Sequence, residues 1–381
     1  MFGCRSQALV VTFAAATAAL GPGALHSAFA DGRGAVYALT NSPAGNAVVV
    51  YARADDGSLS PAGSYATGGT GTGAGLGSQG AVIVSGDARL LFAVNPGSNS
   101  VSSFRIRAFG LELVDTEPSG GVMPTSVAFR DELVYGDDGD TASGSGLLYV
   151  LNAGVPNSIS GFTVDRRGEI TPLEGSTRPL SAESTAPAQV GFSDGGDVLV
   201  VTERATNRID TYVVGPDGRL SAPMVHPSAG PTPFGFAVDR RNTLFVSEAG
   251  AGGGASSYRI GEDGALDPVS SMIMTGQRAA CWAVLTKDGR YGYVTNAGTG
   301  NISGFAIFRD GSASLLDAGG VTAVTGGNPT DAALSRNGRY LYVRVAALGE
   351  IAIFRIAADG SLVPLPSLTG TPAGLAGLAA F

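Results

Sequence analysis

The chain has 381 residues, 44% hydrophobic and 15% charged, with a formal net charge of −8. That is enough apolar material for a sizeable core, and an acidic balance without basic runs argues against nucleic-acid or anionic-membrane binding. Glycine (58 residues) and proline (20) are abundant but follow no collagen-like period, so they read as many tight turns between short strands.

The first element in chain order is a secretory signal. Arg5 supplies the positive region, Ala8 to Leu20 the apolar region, and Ala28-Phe29-Ala30 the small residues of a cleavage site. The apolar run is too short to span a membrane, and no second one follows. The expected mature protein is therefore a single domain, residues 31–381, secreted or periplasmic after cleavage near Ala30 and not inserted in a membrane. Cleavage removes Cys4 and His26 and takes the formal charge to −9, leaving Cys281 and His226. One cysteine forms no internal disulfide, so packing alone must hold the fold.

From residue 35 onward the chain repeats itself. Tyrosine-rich strands end near Asn41, Asn95, Asn152, Glu203, Glu248, Asn296 and Val345, with a spacing mostly in the forties. Examples are Arg290-Tyr-Gly-Tyr-Val-Thr-Asn296, Arg339-Tyr-Leu-Tyr-Val-Arg344 and Leu148-Tyr-Val-Leu-Asn152. Each precedes a second alternating run, such as Ile302-Ser-Gly-Phe-Ala-Ile-Phe308. A turn such as Asp217-Gly218, Asp263-Gly264 or Asp359-Gly360 then leads into Leu-x-Pro or a similar strand. Alternation at period two punctuated by Asp-Gly predicts strands and hairpins. Seven copies of this length predict an all-β, seven-bladed propeller of four-stranded antiparallel blades. The third copy carries an insertion, Asp131 to Gly146. Its Asp137, Asp138 and Asp140 lack the spacing and terminal glutamate of a calcium loop and read as a solvated loop. Gly68 to Gly80 opens no helix and reads as a loop rather than a nucleotide cradle. The first copy lacks an inner strand, and Gly374 to Phe381 supply it, so the chain end is expected beside Ala35–Thr40.

The Tyr-Val-Thr-Asn strand, the Asp-Gly turn and the sevenfold repeat resemble the β-propeller lactonase family, which includes bacterial 6-phosphogluconolactonase and fungal carboxymuconate cyclase. The resemblance covers essentially the whole mature chain. It implies a propeller with a small-molecule site at the channel mouth and a lactonase-type activity, or a cycloisomerase activity. Phosphogluconolactonase-like members carry a His-Pro-His-Gln type segment before the fourth blade. This chain has Ala186-Pro187-Ala188-Gln189, matching only the proline and the glutamine.

In a propeller the start of each inner strand and the end of each second strand emerge on one face. The inner-strand starts read Ala81, Ser126, Gln189, Gly235, Trp282, Asp331 and Gly374. Together with the second-strand ends, they make copies four to seven the chemically varied half. Glu203 and Glu248 are the candidate catalytic carboxylates, one of them orienting water. Gln189, Arg204, Arg278, Trp282, Asn296 and Asp331 are the candidate substrate contacts. Asparagine at a strand end also serves as a turn cap, Trp282 as core, Cys281 as a buried apolar residue, and His226 as a surface residue. No cofactor is expected; Glu203, Glu248 and the ring amides make calcium the alternative. The leading expectation is an exported, monomeric lactonase-like hydrolase acting on a small lactone or related cyclic ester. The competing one is a non-catalytic binding propeller for a carbohydrate, metabolite or protein.

Overall fold

The computed structural model describes residues 34–108, 110–135 and 141–381. The signal-like segment 1–30 and Asp137, Asp138 and Asp140 lie outside the described residues. Seven antiparallel sheets, each built on four strands, follow one another around a ring. Blade 4 is typical: Pro187–Phe192 is its inner strand, followed outward by Val198–Glu203, Arg208–Val213 and Met224–Pro227. Among the described residues the only helical element is one short turn, Ala346–Leu348. No helix among the described residues is long and apolar enough to cross a membrane.

The chain end closes the ring. Ala376–Ala380 pairs antiparallel with Ala35–Leu39, setting Val36 against Ala380 and Leu39 against Ala376. Blade 1 thus joins both ends of the described chain, and no blade is left with an open inner edge. The insertion in blade 3 lengthens its first hairpin, so Pro124–Tyr135 runs antiparallel to Thr141–Asn152.

The two repeat motifs turn out to be halves of one contact. A second-strand tyrosine in one blade donates its hydroxyl to the glycine carbonyl of the next blade's outer turn. Tyr293 reaches Gly360 O at 2.8 Å and Tyr342 reaches Gly57 O at 3.0 Å, while Tyr149 donates likewise to Gly218 O. Tyr293 and Tyr342 belong to blades 6 and 7, so the second of these bonds also ties the ring shut. The glycine is required twice over. Gly360 has φ +85°, and a Cβ there would lie 2.5 Å from the Tyr291 ring. The second-strand tyrosines Tyr37, Tyr149, Tyr293 and Tyr342 are among the largest fully enclosed side chains.

Candidate active site

The second-strand ends do not face the channel. In blades 2 to 6 each packs its side chain back onto the third strand of its own blade, seven or eight residues further on, whereas Asn41 of blade 1 holds Thr72 and Ala74 O of the glycine-rich segment. Asn95 Nδ2 donates to Ser102 Oγ at 2.7 Å and Asn296 Nδ2 to Ser303 Oγ at 2.8 Å; Asn152 reaches Ser160 at 3.3 Å. These asparagines bridge strands rather than cap their own turns.

Glu203 and Glu248 occupy the same position and are fully buried. Glu203 accepts hydrogen bonds from the Ser181 amide (2.9 Å) and from the Ser181 and Thr206 hydroxyls. It faces Asp210, which takes the place of the partner serine. Burial, then the hydrogen bond and charge of Glu203, push the Asp210 carboxyl far above the usual range, so Asp210 holds a proton toward its neighbour. Glu248 Oε1 accepts from Ser256 (2.6 Å) and Ser228 (2.8 Å), and burial raises this carboxyl to about 7. Neither carboxylate reaches the mouth. Among the described residues no three His, Cys, Asp or Glu side chains cluster as metal ligands.

The mouth is covered instead by the glycine-rich segment between blades 1 and 2. The Gln79 amide donates to Ala188 O of blade 4 at 3.0 Å. Its side chain binds Ala283 of blade 6 through both N–H (3.0 Å) and C=O (2.7 Å). Ser78 O accepts the Trp282 indole N–H at 2.9 Å. Residues 75–79 therefore form a strap laid across the channel.

Under the strap is a cavity of about 60 Å³ lined by Gly75, Gly77, Trp282, Thr330, Asp331 and Arg344. Asp331 is its unusual member. It sits at φ +74°, where residues other than glycine are strained. Oδ1 accepts the Ala332 amide at 2.8 Å, but Oδ2 is buried with no hydrogen-bond partner among the described residues. Burial raises the Asp331 carboxyl to about 7, against the opposing effects of the Ala332 amide, the Arg344 charge and the Leu378 amide. Arg344 donates to the Thr330 hydroxyl and to Ala373 O (3.3 Å). On the strap's other flank Arg204 lies 5.4 Å from the Phe234 ring, with Nε on Ala186 O at 2.9 Å. It has no carboxylate partner among the described residues, and its guanidinium closely approaches Gly77.

The family profile described as Lactonase, 7-bladed β-propeller, matches residues 3–136 and 244–374, well over half of the chain. The chain belongs to this lactonase family. No protein with curated annotation matches its sequence. Among solved structures, a Lactobacillus plantarum protein superposes with a TM-score of 0.72 at 16% identity, covering 92% of this chain and 99% of its own. The periplasmic gluconolactonase of Pseudomonas aeruginosa gives 0.68 at 19% identity, covering 89% and 98%. A Bacteroides uniformis protein proposed to be a 6-phosphogluconolactonase gives 0.67 at 17%, covering 90% and 99%. At these identities the likeness is one of fold.

Of the residues singled out from sequence, this lactonase-family chain brings Trp282 and Asp331 into one cavity, with Arg204 across the strap. Gln189 clamps blade 4 to blade 5, accepting from Phe236 N at 2.7 Å and donating to Phe236 O at 3.0 Å. Arg278 is exposed and holds Gly298 O at 3.0 Å, while Asn296 is buried in its own blade. Cys281 is buried beside Trp282, and burial pushes its thiol up to about 12. His226 meets the Thr211 hydroxyl at 3.0 Å on an outer strand. Thr330, Arg344 and the strap were not anticipated. A signal for Arg344 existed, because the residue before each second-strand end is otherwise Thr, Val, Leu or Ser.

Proposed function

We propose that this lactonase-family chain hydrolyses a small lactone or related cyclic ester in the cavity under the strap, with Asp331 as general base. The observation that carries this reading is the buried Asp331 carboxylate, one oxygen of it without a hydrogen-bond partner among the described residues, in the lining of a cavity shared with Trp282 and Arg344. A carboxyl raised to about 7 is poised to take a proton from water near neutral pH. The water oxygen then bonds to the lactone carbonyl carbon, and Arg344 faces the oxyanion that forms. When the ring C–O bond breaks, the proton held by Asp331 passes to the departing alkoxide, leaving an open hydroxy acid. Arg204 is placed to receive a carboxylate on the substrate, and Trp282 to pack against its ring.

The cavity is small, so the strap must lift for substrate to enter. Its links to blade 6 are one hydrogen bond with Trp282 and two with Ala283, which can re-form after entry. A signal-like N-terminus supports an exported protein that meets free lactones rather than cytosolic sugar phosphates. The test is steady-state hydrolysis of aldono-γ- and δ-lactones followed by pH-stat. Asp331→Asn should cut kcat/KM at least about 100-fold, with Glu203→Gln and Glu248→Gln close to wild type among the folded variants. Full activity in Asp331→Asn sinks the assignment. Absence of turnover, with tight lactone binding, would favour the binding-propeller reading.

A further inference from the structure

On the face opposite the mouth, the turns joining inner to second strands are versions of one structure. In blade 2, Asp87 Oδ1 accepts from Ser85 Oγ (2.7 Å) and from the Arg89 amide (2.9 Å), and its other oxygen pairs with the Arg89 guanidinium at 3.4 Å. In blade 6, Asp288 Oδ1 takes the Thr286 hydroxyl (2.6 Å) and the Arg290 amide (3.1 Å). Blade 7 keeps the turn with a neutral side chain. Asn337 Oδ1 accepts from Ser335 Oγ at 2.7 Å and from the Arg339 amide at 3.0 Å. The shape survives and the negative charge is gone.

That exchange leaves a concentration of cations on an otherwise acidic protein. Lys287, the chain's one lysine, and Arg290, Arg336 and Arg339 are all exposed. None has an ion-pair partner among the described residues. Lys287, Arg290 and Arg339 line a cavity of about 260 Å³ between blades 6 and 7. Lys287 also borders an adjoining cavity of about 280 Å³ at the lower end of the channel, where Arg336 lies 5.0 Å from the Phe381 ring. Arg290 is held at the outer end, 5.1 Å from the Tyr291 ring and with Nη2 on the Tyr291 hydroxyl (3.0 Å). The acids facing this region are Asp288 and, in the adjoining turn, Asp359. One oxygen of each is already committed, Asp359 Oδ1 to Ser361.

We propose that the space between blades 6 and 7 binds a multivalent oxyanion, carboxylate or phosphate, through Lys287, Arg290 and Arg339. Cations spread along two adjoining cavities suit a ligand carrying more than one charge. The site is independent of the lactone cavity, which lies at the other end of the channel.

Calorimetric titration of the full chain at low salt, with citrate in one arm and pyrophosphate in the other, tests this. Saturable one-to-one binding of at least one anion is expected, and the arm that saturates identifies the source chemistry. Asn337→Asp restores the charge that blades 2 and 6 carry while keeping the turn, and should weaken binding about five- to tenfold. Arg339→Gln should do the same, with melting temperature and lactone turnover unchanged in both. Because Lys287 is the only lysine, its acetylation, read by peptide mapping, should slow when the anion is bound. Flat titrations up to about 10 mM in both arms, or equal affinity in Asn337→Asp and wild type, overturn the proposal.

Discussion

Replacing Asp331 by asparagine separates what this residue does for stability from what it does for chemistry. The carboxyl is displaced from 3.8 to about 7 by burial, and its Oδ2 has no partner among the described residues. An acid whose pKa rises on folding keeps its proton in the native state after the unfolded chain has released it. Its stabilising contribution is complete below pH 3.8 and is lost as pH climbs to about 7. A shift of that size corresponds to roughly 4 kcal/mol between the two ends of the window, as an upper bound. Asparagine does not titrate, tolerates a positive φ as well as aspartate does, and can keep the Ala332 contact through its own oxygen. Thermal melts should therefore show Asp331→Asn more stable than wild type at pH 8, by roughly 3 °C or more. The gain should shrink toward zero at pH 4. A variant no more stable than wild type at pH 8, or a gain independent of pH, would refute the claim that an uncompensated carboxyl is held in this cavity.

Asp210→Asn should preserve the contact with Glu203, since the amide donates where the protonated acid now does. The slope of stability with rising pH above about 4 should flatten in this variant, as chemical denaturation between pH 4 and pH 8 would show. Tyr293→Phe removes the 2.8 Å bond to Gly360 O between blades 6 and 7, leaving that carbonyl without the tyrosine. It should cost about 1 kcal/mol in a urea titration with an unchanged m-value. Cys281, its thiol pushed up to about 12, should resist a thiol reagent at pH 8 in the native protein and react on unfolding; rapid native labelling would contradict its burial. Gln79→Ala loses both contacts with Ala283, so Trp282 emission should shift to the red as the strap loosens.

The blades were legible because two signals agree along the whole chain. Period-two alternation marks the strands, and the Tyr and Asp-Gly motifs recur at blade spacing in part because the Tyr149, Tyr293 and Tyr342 hydroxyls meet the next blade's turn glycine. Closure by residues 374–381 followed from counting strands. The site was legible only in part. Asp331 and Trp282 stand out as departures at inner-strand starts, positions that do line the mouth. Glu203 and Glu248 stand out just as clearly, yet pleating turns their position onto the third strand, where Asp210 and Ser256 wait. Pairing each strand end with the residue seven or eight further on would have revealed this. The strap has no such pattern. Its path across the channel depends on a backbone bond to blade 4 and on the Gln79 side chain and Trp282 indole at blade 6, all distant in sequence from Ser78 and Gln79.

Trp282 is the single tryptophan of the chain, and it lines the proposed site. Titrating its fluorescence with a non-hydrolysable lactam analogue of a turned-over lactone tests the central claim most directly. A saturable change in wild type, with a midpoint matching the inhibition constant for hydrolysis and weakened in Arg344→Gln, is the predicted result. Inhibition of hydrolysis without any response from Trp282 would place the chemistry elsewhere and contradict the account.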